Sequence, residues 1–211
     1  MSQIEAPVAT VHERLVRAKA ASRSIGRLSG AEKTRVLNAI ADALVDATAR
    51  IVAANGDDLE RGASTGLAIG LLDRLRLDDG RIAALAEAVR EVAVLPDPIG
   101  EVVRGHRSPT GVAIEQVRVP FGVIGAIYEA RPNVTVDIAA IALRSGNAVV
   151  LRGGRAAEAS NAVLVEIMRD TLASHGIDPE AIQTIDEFGR EGARELMQAR
   201  GIVDVLVPRG S

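Results

Sequence analysis

Three short segments of the chain combine arginine with glycine or with other polar residues. They are Tyr128-Glu-Ala-Arg-Pro-Asn133, Arg152-Gly-Gly-Arg155 and Pro208-Arg-Gly-Ser211, and each follows an apolar, strand-like run. Glycine lets the backbone approach a phosphate closely, and arginine donates forked hydrogen bonds to its oxygens. If the apolar runs form parallel strands, these segments lie at the edge of the sheet where such folds bind ligands.

The arginine–glycine segment after the second run is not specific on its own. The sequence contains no Gly-x-Gly-x-x-Gly fingerprint and no Gly-Lys-Ser/Thr phosphate loop, and Gly153-Gly154 is too short to be either. A standard dinucleotide fold and a kinase-like loop are therefore not expected. The segment is either a turn between a strand and a helix or part of a ligand site.

Side chains for nucleophilic or metal chemistry are scarce. The chain has no cysteine, which excludes disulfides, thiolate metal sites and a cysteine nucleophile from it. The three histidines, His12, His106 and His175, are far apart in the sequence and predict solvated surface residues. The absence of a Gly-x-Ser-x-Gly elbow argues against an α/β-hydrolase.

Composition predicts a soluble globular protein with an aliphatic core. Of the 211 residues, 47% are hydrophobic and 25% charged, and the net charge is −3. No basic stripe predicts nucleic-acid binding, and no apolar run approaches the roughly 18 residues of a membrane helix. Because the N-terminus lacks a signal-peptide pattern, we expect a cytoplasmic protein.

Residues 1–100 predict helices. Apolar residues at helical spacing predict one helix over residues 11–24. Ser29-Gly-Ala-Glu32 is a capping-box pattern before a long helix over residues 33–54, followed by a short helix over residues 57–61 that Gly66 ends. Asp78-Asp-Gly80 starts another helix, which Leu95-Pro-Asp-Pro98 stops.

Residues 101–118 predict a β-hairpin around the turn Ser108-Pro-Thr-Gly111. Its arms, residues 101–107 and 112–118, mix apolar with polar positions, as in a ribbon with one wet face. The hairpin either meets another subunit or is an ordinary surface hairpin.

Residues 119–211 alternate between apolar strands and helices. The predicted strands are residues 123–127, 148–151, 181–185 and 203–207, and the predicted helices are residues 135–144, 158–174 and 190–199. This order predicts an α/β fold with a parallel sheet and helices on both of its faces.

The motifs at these strand ends resemble those of the γ-glutamyl phosphate reductases, a branch of the aldehyde dehydrogenase superfamily. The resemblance rests on residues 119–137, with the specific run Tyr128-Glu-Ala-Arg-Pro-Asn-Val-Thr-Val-Asp137, and on Ser145-Gly-Asn-Ala-Val-Val-Leu-Arg-Gly-Gly154. Leu72-Asp-Arg-Leu75, Pro98-Ile-Gly-Glu-Val102 and residues 203–210 match in order. Ordinary aldehyde dehydrogenases share the preceding Pro-x-Gly-Val and the later Gly-Asn-x-Val-Val-Leu, but usually have Pro-Trp-Asn-Phe-Pro between them.

The resemblance implies an aldehyde-dehydrogenase-like fold and the reduction of γ-glutamyl phosphate to glutamate 5-semialdehyde with NADPH, the second step of proline biosynthesis. A cysteine would attack the acyl phosphate, and the resulting thioester accepts hydride. The resemblance also implies that the hairpin is an oligomerisation ribbon, that the full-length family forms homo-oligomers, and that glutamate 5-kinase is a functional partner.

Carried over by position, the resemblance assigns roles to residues in all three segments. Tyr128 and Glu129 would line the nicotinamide side, and Arg152, Gly153 and Arg155 would hold the adenosine ribose and its 2′-phosphate. Gly189, Gly210 and Ser211 would lie beside the other phosphates. Asn133 is the candidate for stabilising the oxyanion, and Arg131 for meeting the substrate's phosphate or carboxylate.

The chain also departs from this family, because members are longer and carry their catalytic cysteine beyond the matching part. We therefore expect residues 1–211 to be an incomplete nucleotide-binding domain, with a helical part (1–100), the ribbon (101–118) and a sheet part (119–211). The catalytic domain would be absent and the chain alone inactive. The alternative is a non-catalytic nucleotide-binding or interaction module.

The last six residues, Leu-Val-Pro-Arg-Gly-Ser, also spell a thrombin recognition site. They are either native or the remnant of an engineered tag. The match to the family pattern through Gly210 favours the native alternative.

Overall fold

In the computed structural model, residues 9–209 are described, so the predicted phosphate contacts Gly210 and Ser211 lie outside the described residues. The helices are α1 Val11–Ile25, α2 Gly30–Asp46, α3 Thr48–Ser64, α4 Ile69–Leu75, α5 Asp79–Val94, α6 Pro132–Arg144, α7 Glu158–Ser174 and α8 Gly189–Gln198. The strands are β1 Val102–Arg107, β2 Ala113–Val117, β3 Val123–Tyr128, β4 Ala148–Arg152, β5 Ile182–Thr184 and β6 Val205–Arg209.

Capping side chains fix the starts of three N-terminal helices. Ser29 and Glu32 form the predicted capping box at α2, and Thr10 forms another with Glu13 at α1. Asp78 accepts the backbone N–H of Arg81 at 2.8 Å and begins α5, as predicted. Each such cap satisfies backbone donors that a helix start leaves unpaired.

The single long helix predicted over residues 33–54 is wrong. The chain breaks at Ala47, whose φ of −91° and ψ of 11° are not helical, and α3 then continues to Ser64. Thr48 contributes to this break, since its hydroxyl donates to the carbonyl of Val45 at 2.6 Å. The predicted short helix over residues 57–61 is therefore part of α3.

One further helix and one helix boundary differ from the prediction. The short helix α4 was not predicted, and α6 begins at Pro132 instead of residue 135. Proline suits the first helical position, because its ring presets φ and its missing N–H would have no partner there.

The four C-terminal strands form a parallel sheet in the order β5-β4-β3-β6. Helices α6 and α7 pack against one face, and α1 and α8 pack against the other, as predicted. Helix α8 approaches β3 closely at Gly125, where an added Cβ would lie 3.1 Å from the side chain of Leu196. Helices α2, α3 and α5 form a further layer on α6 and α7.

The predicted hairpin is present as the antiparallel pair β1–β2. Every residue of both strands is exposed, so the hairpin projects from the core. Within residues 9–209, no helix is long and apolar enough to cross a membrane.

Candidate functional site

The sheet has a topological switch point beside β3. From β3 the chain adds β4 and then β5 on one side, whereas β6 pairs with the other side. In open parallel sheets, ligands bind in the crevice outside the strand ends at such a point. A cleft of about 220 Å³ lies there, lined by Tyr128, Glu129, Arg131, Val134 and Arg209. We call it the switch-point cleft.

The strand register and an unpaired donor make this cleft suitable for an anion. Tyr128 ends β3 directly opposite Arg209 at the end of β6. The Nε of Arg131 is buried and has no hydrogen-bond partner among the described residues. A buried donor without a partner carries a free-energy cost, which an anionic ligand group would relieve.

The hydroxyl of Tyr128 points away from this cleft into a buried hydrogen-bond chain. Thr135 donates to Asn161 Oδ1 at 2.7 Å, so the hydroxyl of Tyr128, 2.7 Å from Thr135 Oγ1, is the donor to Thr135. Asn161 Nδ2 donates to Asp186 Oδ2 at 2.7 Å, and the backbone N–H of Gly153 donates to Asp186 Oδ1 at 2.6 Å. We call these five residues the Asp186 relay.

Burial determines the electrostatics of the relay. Burial raises the pKa of Asp186 above its ordinary value, while hydrogen bonds from Asn161 and Gly153 act in the opposite direction. Burial and the nearby charge of Asp186 raise the pKa of Tyr128. Tyr128 therefore stays neutral and can offer a ligand its ring and backbone, because its hydroxyl is already used.

The relay fixes the loop after β4, which carries the predicted arginine–glycine segment. A Cβ added to Gly153 would lie 2.4 Å from Asn161 Nδ2, so only glycine fits between strand and relay. Arg152 Nε donates to the carbonyl of Gly189 at 3.4 Å. The Arg155 guanidinium lies 3.9 Å from the place a Cβ on Gly189 would occupy.

Gly189 begins α8 with a φ of +56°, a conformation that favours glycine. Its position next to Arg152 and Arg155 brings two cationic side chains to the N-terminal end of a ten-residue helix. Helix N-termini attract phosphate groups, so this arrangement suits an anionic group.

Asn133 lies in the first turn of α6 and lines a separate cleft with Asp137 and three arginines. Its Nδ2 lies 3.5 Å from Asp137 Oδ2, at the limit of a hydrogen bond. Burial raises the pKa of Asp137 above its ordinary value. Arg131, two residues earlier in the chain, lines the switch-point cleft instead.

Three of the predicted residues, Tyr128, Glu129 and Arg131, meet in the switch-point cleft. Arg152, Gly153, Arg155 and Gly189 gather at the ends of β4 and β5. The sequence reasoning missed Thr135, Asn161 and Asp186, whose contacts join distant segments. Among residues 9–209, no three His, Cys, Asp or Glu side chains are grouped so that they could hold a metal ion.

Comparison with known proteins identifies the class. The model of the aldehyde dehydrogenase family matches residues 2–207, so the chain belongs to this family, whose members use a nicotinamide cofactor. More particularly, it is 61% identical to the γ-glutamyl phosphate reductase of Kineococcus radiotolerans over 194 residues. That match covers 92% of this chain and 45% of the relative, so the chain spans about half the length of that relative.

Solved structures agree with the sequence comparison. The γ-glutamyl phosphate reductase of Thermotoga maritima superposes with a TM-score of 0.93 at 34% identity, over 96% of this chain and 49% of that one. The corresponding protein of Saccharomyces cerevisiae gives a TM-score of 0.88 at 31% identity, over 96% of this chain and 52% of that one. The predicted aldehyde-dehydrogenase-like fold is therefore confirmed.

Proposed function

We propose that this chain supplies the cofactor side of an NADPH-dependent reductase that converts γ-glutamyl phosphate to glutamate 5-semialdehyde. The observation that carries the proposal is the switch-point cleft, whose residues Tyr128, Glu129 and Arg131 belong to the motif shared with the γ-glutamyl phosphate reductases. The reaction would be the second step of proline biosynthesis.

The nicotinamide supplies hydride when it is bound, and the residues of this chain bind and orient it. Tyr128 and Glu129 would lie beside the nicotinamide, with the relay keeping the Tyr128 hydroxyl out of the reaction. Arg152 and Arg155 would hold the 2′-phosphate that distinguishes NADPH from NADH. Gly153 and Gly189 would let the backbone approach, and Gly210 and Ser211 would contact the remaining phosphates.

On the substrate side, the unpaired Nε of Arg131 would receive the phosphate, and the Asn133 amide would donate to the oxyanion. None of the 211 residues is a cysteine. We therefore expect this chain by itself to bind cofactor without turning over substrate.

Three wider assignments belong to the same proposal. Because the substrate is an acyl phosphate made from glutamate, a glutamate 5-kinase would be the functional partner. The protein would be a cytoplasmic homo-oligomer, with the exposed hairpin β1–β2 as its oligomerisation surface.

Titration of the 211-residue chain with NADPH and with NADH tests the cofactor role. We expect NADPH to bind more tightly, and Arg152→Ala with Arg155→Ala to lower NADPH affinity to that of NADH. Arg35→Ala, which removes an exposed arginine of α2, is the matched control. Binding of neither nucleotide at millimolar concentration would reject the cofactor role, leaving a non-catalytic interaction module. Equal affinities would reject the assignment of Arg152 and Arg155.

A further inference from the structure

A second cleft, of about 370 Å³, lies between α6 and the segment that joins α4 to α5. Its polar lining consists of Arg74, Arg76, Arg81, Asn133 and Asp137, and the apolar remainder is Leu77 before α5 and Ala84, Leu85 and Ala88 within it. We call it the arginine cleft. It combines cationic groups, one carboxylate and an apolar wall within a volume that suits a small molecule.

The cationic groups of the arginine cleft are not equally available. Arg81 is paired with Asp73, at 2.8 Å between Nη2 and Oδ1. In contrast, no hydrogen bond or ion pair within residues 9–209 engages the guanidinium of Arg74 or of Arg76. Two positive charges with no partner among these residues therefore line the cleft.

The carboxylate of the cleft is also poorly satisfied. Asp137 is half-buried, and its hydrogen bond within residues 9–209 is the 3.5 Å contact with Asn133 Nδ2. A partly desolvated carboxylate with one weak partner is an acceptor suited to an ammonium group.

The backbone that carries Arg76 is held by a fully buried asparagine. Asn55 Oδ1 accepts the N–H of Leu77 at 2.7 Å, and Asn55 Nδ2 donates to the carbonyl of Leu75 at 2.8 Å. Asn55 is 0% exposed, and its Nδ2 also lies 3.0 Å from Ser160 Oγ. The residues on both sides of Arg76 are thus fixed from the core.

Arg81 holds the same segment from the solvent side. Its Nη1 donates to the carbonyl of Arg76 at 3.0 Å, while its Nη2 pairs with Asp73. Contacts from the core and from the solvent side therefore fix the backbone of this segment, although the Arg76 side chain has no partner within residues 9–209. Such preorganisation lowers the entropy lost when a charged side chain binds a ligand.

We propose that the arginine cleft binds the amino-acid end of the substrate. The guanidinium groups of Arg74 and Arg76 receive the α-carboxylate, and Asp137 receives the α-ammonium. This assignment rests on the proposed function, because it concerns the same γ-glutamyl substrate. It makes Arg74, Arg76 and Asp137 the residues that select an α-amino acid.

The spacing of Asn133 and Asp137 on α6 suits one extended substrate molecule that contacts both side chains. Asn133 and Asp137 are one helical turn apart, and side chains at this spacing are neighbours about 5–6 Å apart. A glutamyl chain has three carbon–carbon bonds between its α-carbon and its acyl carbon. With the ammonium at Asp137, the acyl group lies towards Asn133, the candidate for the oxyanion.

The test is an NMR titration of the 211-residue chain, following backbone amide shifts around the arginine cleft. The ligands are L-glutamate, glutarate, which lacks the ammonium, and 4-aminobutyrate, which lacks the α-carboxylate. We expect L-glutamate to shift the amides of Arg76, Leu77 and Asp137, and each analogue to bind about tenfold more weakly for the loss of one charge-assisted contact.

Two variants test which residues bind the carboxylate and which binds the ammonium of L-glutamate. Arg74→Ala with Arg76→Ala should weaken L-glutamate about tenfold or more, with Arg35→Ala as the control for a lost exposed arginine. Asp137→Asn should weaken L-glutamate but not glutarate, because only L-glutamate brings an ammonium. Unchanged amide shifts outside the cleft would show that each variant is folded.

Equal binding of L-glutamate and glutarate, no binding of L-glutamate, or no effect of the double arginine variant would each overturn the assignment. Titration of the same samples with NADPH keeps the two proposals distinct. Selective L-glutamate binding without NADPH binding would uphold the cleft and reject the cofactor role. NADPH binding without L-glutamate selectivity would do the reverse.

Discussion

The carboxylate of Asp186 accepts the backbone N–H of Gly153 at 2.6 Å, which joins the segment before α8 to the loop after β4. The other oxygen of the same carboxylate accepts the side-chain amide of Asn161 at 2.7 Å. An ionised carboxylate can only accept hydrogen bonds, so Asp186 sets the direction of the whole relay. The loop with Arg152 is therefore positioned from the core, over a distance of 33 residues in sequence.

Thr135→Val tests the middle of the relay. Valine matches the shape of threonine but leaves the hydroxyl of Tyr128 without its acceptor and Asn161 Oδ1 without its donor. We expect the free energy of unfolding to fall by about 1–3 kcal/mol, the range for buried polar groups that lose a partner. Urea unfolding monitored by circular dichroism measures this loss.

The matched control is Thr171→Val in α7. Thr171 is also buried, but its hydroxyl donates to the carbonyl of Ile167 in its own helix, at 2.8 Å. Removing that contact should cost less, because the carbonyl keeps its place in the helix. Equal losses for the two variants would contradict a special contribution of the relay.

Two backbone amides should report opposite pKa shifts. Gly153 N–H donates to Asp186, whose pKa burial raises. Val123 N–H donates to Asp204 at 2.8 Å; burial acts to raise the pKa of Asp204, but hydrogen bonds from Lys19 and Val123 outweigh it and lower the pKa. In an NMR pH titration, the chemical shift of the Gly153 amide should change with a midpoint above the ordinary aspartate pKa of about 3.9. The chemical shift of the Val123 amide should change with a midpoint below it.

The stability consequences of these shifts have opposite signs. Asp204 stabilises the fold above its unfolded pKa, and this contribution disappears as pH falls through its lowered folded pKa. Ionised Asp186 costs the fold free energy at neutral pH, and the cost disappears as pH falls through its raised folded pKa. If both amides titrate on the same side of the ordinary aspartate pKa, the prediction of opposite pKa shifts for Asp186 and Asp204 is wrong.

Gly153→Ala should destabilise the chain. The new Cβ would lie 2.4 Å from Asn161 Nδ2 and would force the relay apart. We expect the free energy of unfolding to fall by about 1–3 kcal/mol, as for overpacking of a well-packed core, together with weaker NADPH binding.

Gly56→Ala in α3 is the control, because nothing lies within 4 Å of its Cβ position. Because Gly56 lies inside a helix, its replacement by alanine should instead raise the free energy of unfolding by about 0.5–1 kcal/mol. Thermal unfolding of both variants separates the two outcomes, and equal changes would contradict the tight fit at Gly153.

The sequence was informative wherever the signal is local. The capping pattern at Ser29, the cap at Asp78 and the alternation of strands and helices all predicted elements that the structure confirms. The break at Ala47 was missed because its alanine-rich surroundings favour helix on both sides, and packing of α3 against α7 decides the new direction.

The candidate site could be predicted only in part for a similar reason. Arg131 and Arg152 could be predicted from the sequence because they follow apolar runs at strand ends. Asn161 and Asp186 were not, because their contact joins residues 25 apart and depends on how α7 packs beside β5. Sequence patterns report burial periodicity and local hydrogen bonds, but not which distant polar groups meet.

Two of the exposed apolar features of the chain are β-strands, which favour self-association. One is the edge strand β6, whose outer side has no strand partner among the described residues and where Val207 is 42% exposed. The other is the hairpin, where Val103 is 50% exposed. An unpaired strand edge is a template for pairing with another chain, and lysine on such an edge opposes it.

We expect the wild-type chain to self-associate with increasing concentration, and Val207→Lys to shift the equilibrium towards the monomer. Sedimentation velocity at several concentrations measures this shift. Val103→Lys is the matched variant, because it places the same charge on the hairpin and leaves β6 unchanged. If only Val103→Lys gives monomer, the hairpin is the contact and the edge-strand prediction is wrong. A wild-type chain that stays monomeric at all concentrations would reject both surfaces, because neither β6 nor the hairpin would then be sufficient for association.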